Sequence, residues 1–166
     1  MGISLVDIAT GATAYSAILE ALIGRGVTGK GAAISVSMFD VMADWLTVPL
    51  LNHEGGKSPR RIGMAHPSIA PYGVFTARDG APILIAVQSD REWRALARDF
   101  LGDPALGTDP RFATNVARVA NRAETDAAVA RAFASRDGAD AIEALLAAGI
   151  ALASVCLLYT SDAADE

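Results

Sequence analysis

The chain has 166 residues, enough for one ordinary domain or for parts of two. It is 52% hydrophobic and 20% charged, which excludes a disordered chain, and its formal charge of −5 with no basic run argues against a nucleic-acid surface. A single Cys excludes a disulfide framework and a Cys-based zinc site.

"GISLV" at Gly2–Val6 is a short apolar run that suits a buried parallel strand. A helical pattern then runs from Asp7 to about Ile23, with Tyr15, Ile18, Leu19 and Leu22 on one face. Asp7 is an acidic residue in an otherwise small and apolar stretch, and an ionised carboxylate there needs a cap, a partner or a task. At the junction of strand and helix it reads as an N-cap that accepts from the N–H groups just beyond. The same junction is the crevice in which doubly wound sheets bind ligands, where helix N–H groups stabilise a developing oxyanion. Thr10, Gly11 and Ala12 are small enough for a ligand to approach the backbone. Gly24 and Gly26 read as helix stops. "GRGVTGKG" at Gly24–Gly31 has the G-x-x-x-x-G-K part of a P-loop, but Gly31 stands where a Ser or Thr would bind magnesium, and the stretch follows a helix rather than a strand. It reads as a plain turn. "AISVSM" at Ala33–Met38 alternates like a strand, and a helix is expected from about Phe39 to Leu51 with Val41, Trp45 and Val48 on one side. This order fits part of a doubly wound α/β domain covering residues 1–53.

Residues His53 to Gly73 are rich in Gly, Pro and charge without hydrophobic period, so 54–70 reads as a linker or functional loop. His53 and His66, the only histidines, lie there with no carboxylate at metal-ligand spacing, and no metal site is expected. Arg60 and Arg61 could contact a phosphate or carboxylate, but paired arginines in a linker are more often simply solvated. From residue 71 to 155 the pattern is that of a small α+β domain. Two β-rich runs flank Asp79-Gly80, a hairpin signal. The second, Ile83 to Val87, is apolar at every position and so is expected to be covered on both faces. Ser89 and Glu92 form a capping-box pair before a helix from Asp90 to Leu101, where Asp90 suits the helix dipole. "GDPALGTDPRFATNVARVA" reads as irregular. Asn121 and Glu124 are spaced as a second capping box, a third helix spans about Gly138 to Ala148, and "IALASV" forms a last strand.

Glu20, Asp40 and Asp44 interrupt the apolar stretches, which fall short of the ~20 residues a membrane span needs. No membrane association is expected, and without a basic-then-apolar leader a cytoplasmic location is. Cys156–Glu166 resembles a translated sequencing adapter, since CTGTCTCTTATACACATCT read from its second base gives Cys-Leu-Leu-Tyr-Thr-Ser. Without those residues the formal charge of −5 becomes −2, because Asp162, Asp165 and Glu166 leave with them.

Four stretches, "SLVDIATGATAYSAILEAL", "TGKGAAISVSMFDVMADWL", "GMAHPSIAPYGVFTARDGAPILIAVQSDREW" and "DPRFATNVARVANRAE", together resemble the family III CoA-transferases, the group of formyl-CoA transferase and carnitine CoA-transferase relatives. The resemblance implies an internal fragment of that α/β fold: part of the doubly wound, Rossmann-like large domain, a linker, and the small α+β domain. It places the family's nucleophilic aspartate on Asp7. It implies transfer of CoA between an acyl-CoA thioester and a free carboxylic acid, through an aspartyl mixed anhydride and an aspartyl-CoA thioester. It implies CoA as a substrate rather than a permanently bound cofactor, an interlocked homodimer for the full-length protein, and a fragment that is inactive alone. The family's glycine-rich lid corresponds to Ile62–Pro67, which holds one glycine, Gly63, and there His66 is expected to touch the acyl group. α-Methylacyl-CoA racemase shares the fold and is the alternative, with Asp7 shuttling a proton and Asp90 near a racemase glutamate; a non-catalytic fragment is a further one. The texture of "APYGVF" and "VQSDREW" is similar to members that handle small dicarboxylates.

Overall fold

The computed structural model describes residues 3–155; Gly2 of the expected first strand and the adapter-like stretch Cys156–Glu166 lie outside the described residues. The chain divides into two compact units, one up to Arg61 and one from Ile62.

The first unit contains three helices, α1 (Leu5–Thr28), α2 (Met38–Trp45) and α3 (Thr47–Glu54). The expected strand before Asp7 is not formed among the described residues: Leu5 and Val6 already belong to α1, and the Ile8 N–H donates to Ser4 O at 3.1 Å. A buried parallel strand satisfies its backbone only through neighbouring strands, and this unit offers none among the described residues, whereas a helix satisfies its backbone internally. Ala33–Ser37 is likewise unpaired, although Ser37 is extended (φ −88°, ψ 127°) and caps α2 by accepting from the Asp40 N–H at 3.2 Å. Gly24 and Gly26 do not stop α1. It ends instead at Gly29, whose φ of 70° and N–H bond to Arg25 O at 2.8 Å form a left-handed cap. The helix expected over 39–51 breaks at Leu46. Pro49 lacks an N–H, and in a continuous helix its ring would strike the Trp45 carbonyl, so it sits in the first turn of a new helix.

Ala9 and Val41 are buried where α1 and α2 pack together. Tyr15, Ile18, Leu19 and Leu22 are exposed, as are Trp45 and Val48, although their spacing suggested core-facing stripes. By length and composition α1 could also cross a membrane, with 24 residues and a mean hydropathy of 1.3 in its best window. That departs from the expectation because Leu5 and Val6 lengthen the helix and Glu20 does not end it.

The second unit contains an antiparallel sheet in the order β1 (Tyr72–Thr76), β2 (Pro82–Ala86), β3 (Ala151–Ser154). The β1–β2 hairpin pairs Tyr72 with Ala86 and Thr76 with Pro82, and Gly80 supplies the positive φ of 88° in its turn. Ile83, Ile85 and Val87 are buried, while Leu84 and Ala86 are half-buried, so one face of β2 is fully covered where two were expected. Period-two alternation sends all three buried side chains to the face that carries the helices.

Those helices are α4 (Asp90–Ala95), which continues as a π-helical turn to Phe100, α5 (Asn115–Ala120), α6 (Arg122–Ala134) and α7 (Gly138–Ala147). Phe133 stacks on Phe75 at 5.4 Å and meets Phe100 at 4.9 Å. Trp93, fully buried, donates its indole N–H to Leu106 O at 3.0 Å. The Ser89–Glu92 capping box is formed. The Asn121–Glu124 box is not, because the Asn121 amide donates to Arg111 O and Ala117 O, and Glu124 pairs with Arg111 at 3.1 Å. α5 lies in sequence expected to be irregular. Its cap is Thr114, whose hydroxyl accepts from the Ala117 N–H at 3.2 Å.

The start of α7 is tied to the hairpin turn. Asp79 accepts from the Gly138 N–H at 3.0 Å and from the Ala81 N–H at 3.1 Å, and these two bonds hold its pKa below the usual carboxylate value. A Cβ on Gly138 would lie 2.6 Å from Ala81 Cβ. Gly138→Ala is therefore expected to destabilise the fold by about 1–3 kcal/mol through overpacking, although an alanine there favours the helix. Chemical denaturation of the two proteins measures this. Because the folded-state pKa of Asp79 is depressed, its contribution is fully present above the unfolded-state value and is lost as pH falls through the folded one. Asp79→Asn should accordingly flatten the acid limb of a thermal-unfolding profile, and an unchanged limb would refute the anchoring role.

Candidate functional site

Asp7 is the third residue of α1, inside the helix rather than capping it; Ser4 holds the cap position and makes no side-chain cap bond. The cap expected of Asp7 fails because the helix starts before it. Its side chain is exposed and makes no hydrogen bond or ion pair among the described residues. The first-turn location places its charge at the positive end of the helix dipole. The nearby hydroxyls are turned away, Thr10 to Val6 O at 2.7 Å and Thr13 to Ala9 O at 3.0 Å. One turn on, a Cβ added at Gly11 would meet nothing within 4 Å. An exposed, unpaired carboxylate beside open space is chemically free to act as a nucleophile.

Gly63 and His66 come together in the second unit, in a turn where the Ala65 N–H donates to Ile62 O at 3.2 Å and Gly63 has φ 62°. His66 is half-buried, with its ring 5.4 Å from that of Tyr72. Its Nδ1 accepts from the Ser68 N–H at 3.1 Å, so in the neutral ring the proton resides on Nε2. His53 is exposed at the end of α3, with Nδ1 3.0 Å from Ser58 Oγ. Arg60 and Arg61 are exposed. Among the described residues no group of His, Cys, Asp and Glu side chains could hold a metal ion.

Three residues not singled out from the sequence surround the His66 segment. Arg118, fully buried, donates to Ala70 O at 2.7 Å, to Phe112 O at 2.8 Å and to Asp90 Oδ1 at 2.9 Å, and lies over the Trp93 ring. Burial lowers its pKa, and the hydrogen bond and charge of Asp90 oppose that shift. Asp90 is thus engaged in an ion pair rather than free for acid–base work. Arg122 donates to His66 O and to Ile69 O, both at 2.7 Å. Asn115 donates to Ser68 O at 2.8 Å and accepts from the Ala70 N–H at 3.1 Å. Their spacing of three and then four residues on a helical stretch was the available signal.

Beside this segment lies an open groove of about 460 Å³, lined by Ile62, Met64, Tyr72, Val74, Asp126 and Ala130 among others. Asp126 and Arg122 approach only to 4.0 Å, and Asp126 Oδ1 and Arg122 Nη1 are buried without a hydrogen-bond partner among the described residues. Burial raises the Asp126 pKa against the opposing charge of Arg122.

Comparison with known proteins gives a consistent assignment. The sequence profile described as CoA-transferase family III matches residues 1–164. The chain is 39% identical over 165 residues to the acetyl-CoA:oxalate CoA-transferase of Acetobacter aceti, covering 99% of this chain and 41% of that protein. It is 40% identical over 124 residues to the succinate–glutarate CoA-transferase of Agrobacterium fabrum, covering 74% and 30% respectively. A CAIB/BAIF family protein from Brucella suis superposes with a TM-score of 0.69 at 37% identity, over 98% of this chain and 43% of that one. Rv3272 from Mycobacterium tuberculosis gives a TM-score of 0.80 at 26% identity, over 96% and 40%. The chain thus spans about two fifths or less of the length of these relatives, and its mixed helix–strand architecture is an α/β part of their fold. With the profile matching almost every residue, the protein belongs to CoA-transferase family III.

Proposed function

We propose that a protein of the relatives' length carrying this sequence transfers CoA between an acyl-CoA thioester and a small carboxylic acid, with Asp7 as the nucleophile. The observation that carries the reading is the state of Asp7: exposed, without a partner among the described residues, at a helix N-terminus, among small residues, in a chain of this family. Relatives named for oxalate, succinate and glutarate support a small dicarboxylic acid as the acceptor class.

The chemistry needs no proton at Asp7. A carboxylate oxygen of Asp7 attacks the thioester carbonyl, the C–S bond breaks, and CoA thiolate leaves, giving a mixed anhydride. The thiolate then attacks the Asp7 side-chain carbonyl; the anhydride C–O bond breaks and the first acid departs, leaving Asp7 as a CoA thioester. An incoming carboxylate attacks that thioester to form a second anhydride, and the thiolate attacks its acyl carbon, releasing the new acyl-CoA and the Asp7 carboxylate. Each step exchanges one activated acyl group for another, so thioester energy is retained provided water is excluded. Oxyanion stabilisation falls to N–H donors and the helix dipole near Asp7. Gly63 and His66 supply substrate contacts in this reading, and the working protein is an interlocked homodimer.

Incubation of the relative-length protein with acyl-CoA and hydroxylamine tests the covalent steps. The expected result is a hydroxamate on the peptide bearing Asp7, and loss of transfer in Asp7→Asn by at least about a thousandfold, as for removal of other covalent nucleophiles. Asp7 left unmodified while the substrate α-proton exchanges with solvent would instead identify a racemase. Full transfer activity in Asp7→Asn would make the residue structural.

A further inference from the structure

We propose that Asn115, Arg118 and Arg122 form a clamp that positions His66, fixing Nδ1 as an acceptor and presenting Nε2–H as a hydrogen-bond donor to a carboxylate or thioester oxygen of the substrate. The identity of that substrate rests on the CoA-transferase reading; the clamp itself does not.

Residues 66–70 contain no helix or strand, yet four of their five carbonyls accept from side chains. The carbonyls of His66 and Ile69 accept from Arg122, that of Ser68 from Asn115 and that of Ala70 from Arg118, while the Ala70 N–H donates to Asn115. A surface loop ordinarily leaves such groups to water. Ordering two arginines over it, one of them fully buried, sacrifices side-chain freedom and hydration, which is offset by bonds to this segment, to Phe112 O and to Asp90, by the Trp93 ring under Arg118, and by Asp126 at 4.0 Å from Arg122.

The clamp acts on the imidazole through the Ser68 N–H. That donor selects the tautomer by bonding Nδ1. Both ends of the turn that closes this bond are held, His66 O by Arg122 and Ser68 O by Asn115, and Pro67 between them has a fixed φ. Tyr72 limits the ring on another side. Nε2 makes no hydrogen bond among the described residues, so its proton remains available. A ring held by its carbonyl, its neighbour's amide and an aromatic contact is preorganised to offer one donor in one direction, the property a substrate-orienting group requires.

The direct test is the tautomer of His66, read by long-range proton–nitrogen NMR of the imidazole in the chain described here. The unsubstituted protein should show the Nε2–H form, and Asn115→Ala and Arg122→Met should give a mixture of both forms while the amide spectrum stays folded. Arg122→Lys, which keeps one donor, should lie between, and it carries the measurement if Arg122→Met does not fold. An unchanged tautomer in folded variants overturns the clamp. In the relative-length protein the same variants should lower kcat/KM for the carboxylate severalfold, by less than the roughly ten- to a hundredfold that complete loss of one hydrogen bond to a charged group would cost. A shifted tautomer with unchanged kcat/KM overturns the substrate-orienting role. If the unsubstituted relative-length protein transfers no CoA at all, the functional reading fails while the ring measurement still decides the clamp.

Discussion

The buried guanidinium of Arg118 is the contact on which the second unit depends. A charge with no solvent access is tolerated only if its N–H groups are bonded and an opposite charge is near. Arg118 meets that condition with Ala70 O, Phe112 O and Asp90 Oδ1, and its plane also rests against Trp93. Each partner belongs to a different part of the chain: the segment leading into β1, the loop before α5, and the first turn of α4. A single side chain thereby joins the hairpin entrance to two helices, and removing it would strand two carbonyls and leave Asp90 unpaired. The apolar core of Trp93, Phe100, Val129, Phe133 and the inner face of β2 packs behind that polar joint.

The first unit obeys a different constraint. Its helices satisfy their own backbones but bury little, so Tyr15, Ile18, Leu22 and Trp45 remain exposed. Ala33–Ser37, which would be a strand elsewhere, lacks a neighbour to pair with among the described residues. Against this background the freedom of Asp7 is informative. A structural carboxylate is normally engaged by an N-terminal N–H or a cation, as Asp79 and Asp137 are. Among the described residues Asp7 has neither, yet it sits where a negative charge is electrostatically favoured.

Features governed by short-range chemistry were legible in the sequence. Asp79-Gly80 gave the hairpin, Ser89 and Glu92 gave the capping box, and the helix expected over about Gly138 to Ala148 forms over Gly138–Ala147. Family kinship and the α/β class were legible through long matching stretches. What failed depended on distant partners or on one backbone detail. The strands expected at Gly2–Val6 and Ala33–Met38 need neighbours that local periodicity cannot supply. The break at Leu46 turned on Pro49. Asn115 and Arg118 were hidden because α5 is six residues long and their targets in the segment before β1 lie 45 to 48 residues away in sequence. At Asp7 the apolar run before it suggested a strand, so the residue was placed at a cap instead of in the first turn.

Oxygen transfer tests the central claim, that Asp7 becomes acylated, most directly. Each turnover through an anhydride and an aspartyl thioester passes one carboxylate oxygen from the acceptor acid to Asp7 and one from Asp7 to the released acid. With an acceptor labelled by oxygen-18 in its carboxylate, mass spectrometry of the relative-length protein should find label in the Asp7 peptide and then in the released acid. Turnover that leaves the Asp7 peptide unlabelled would contradict the covalent account.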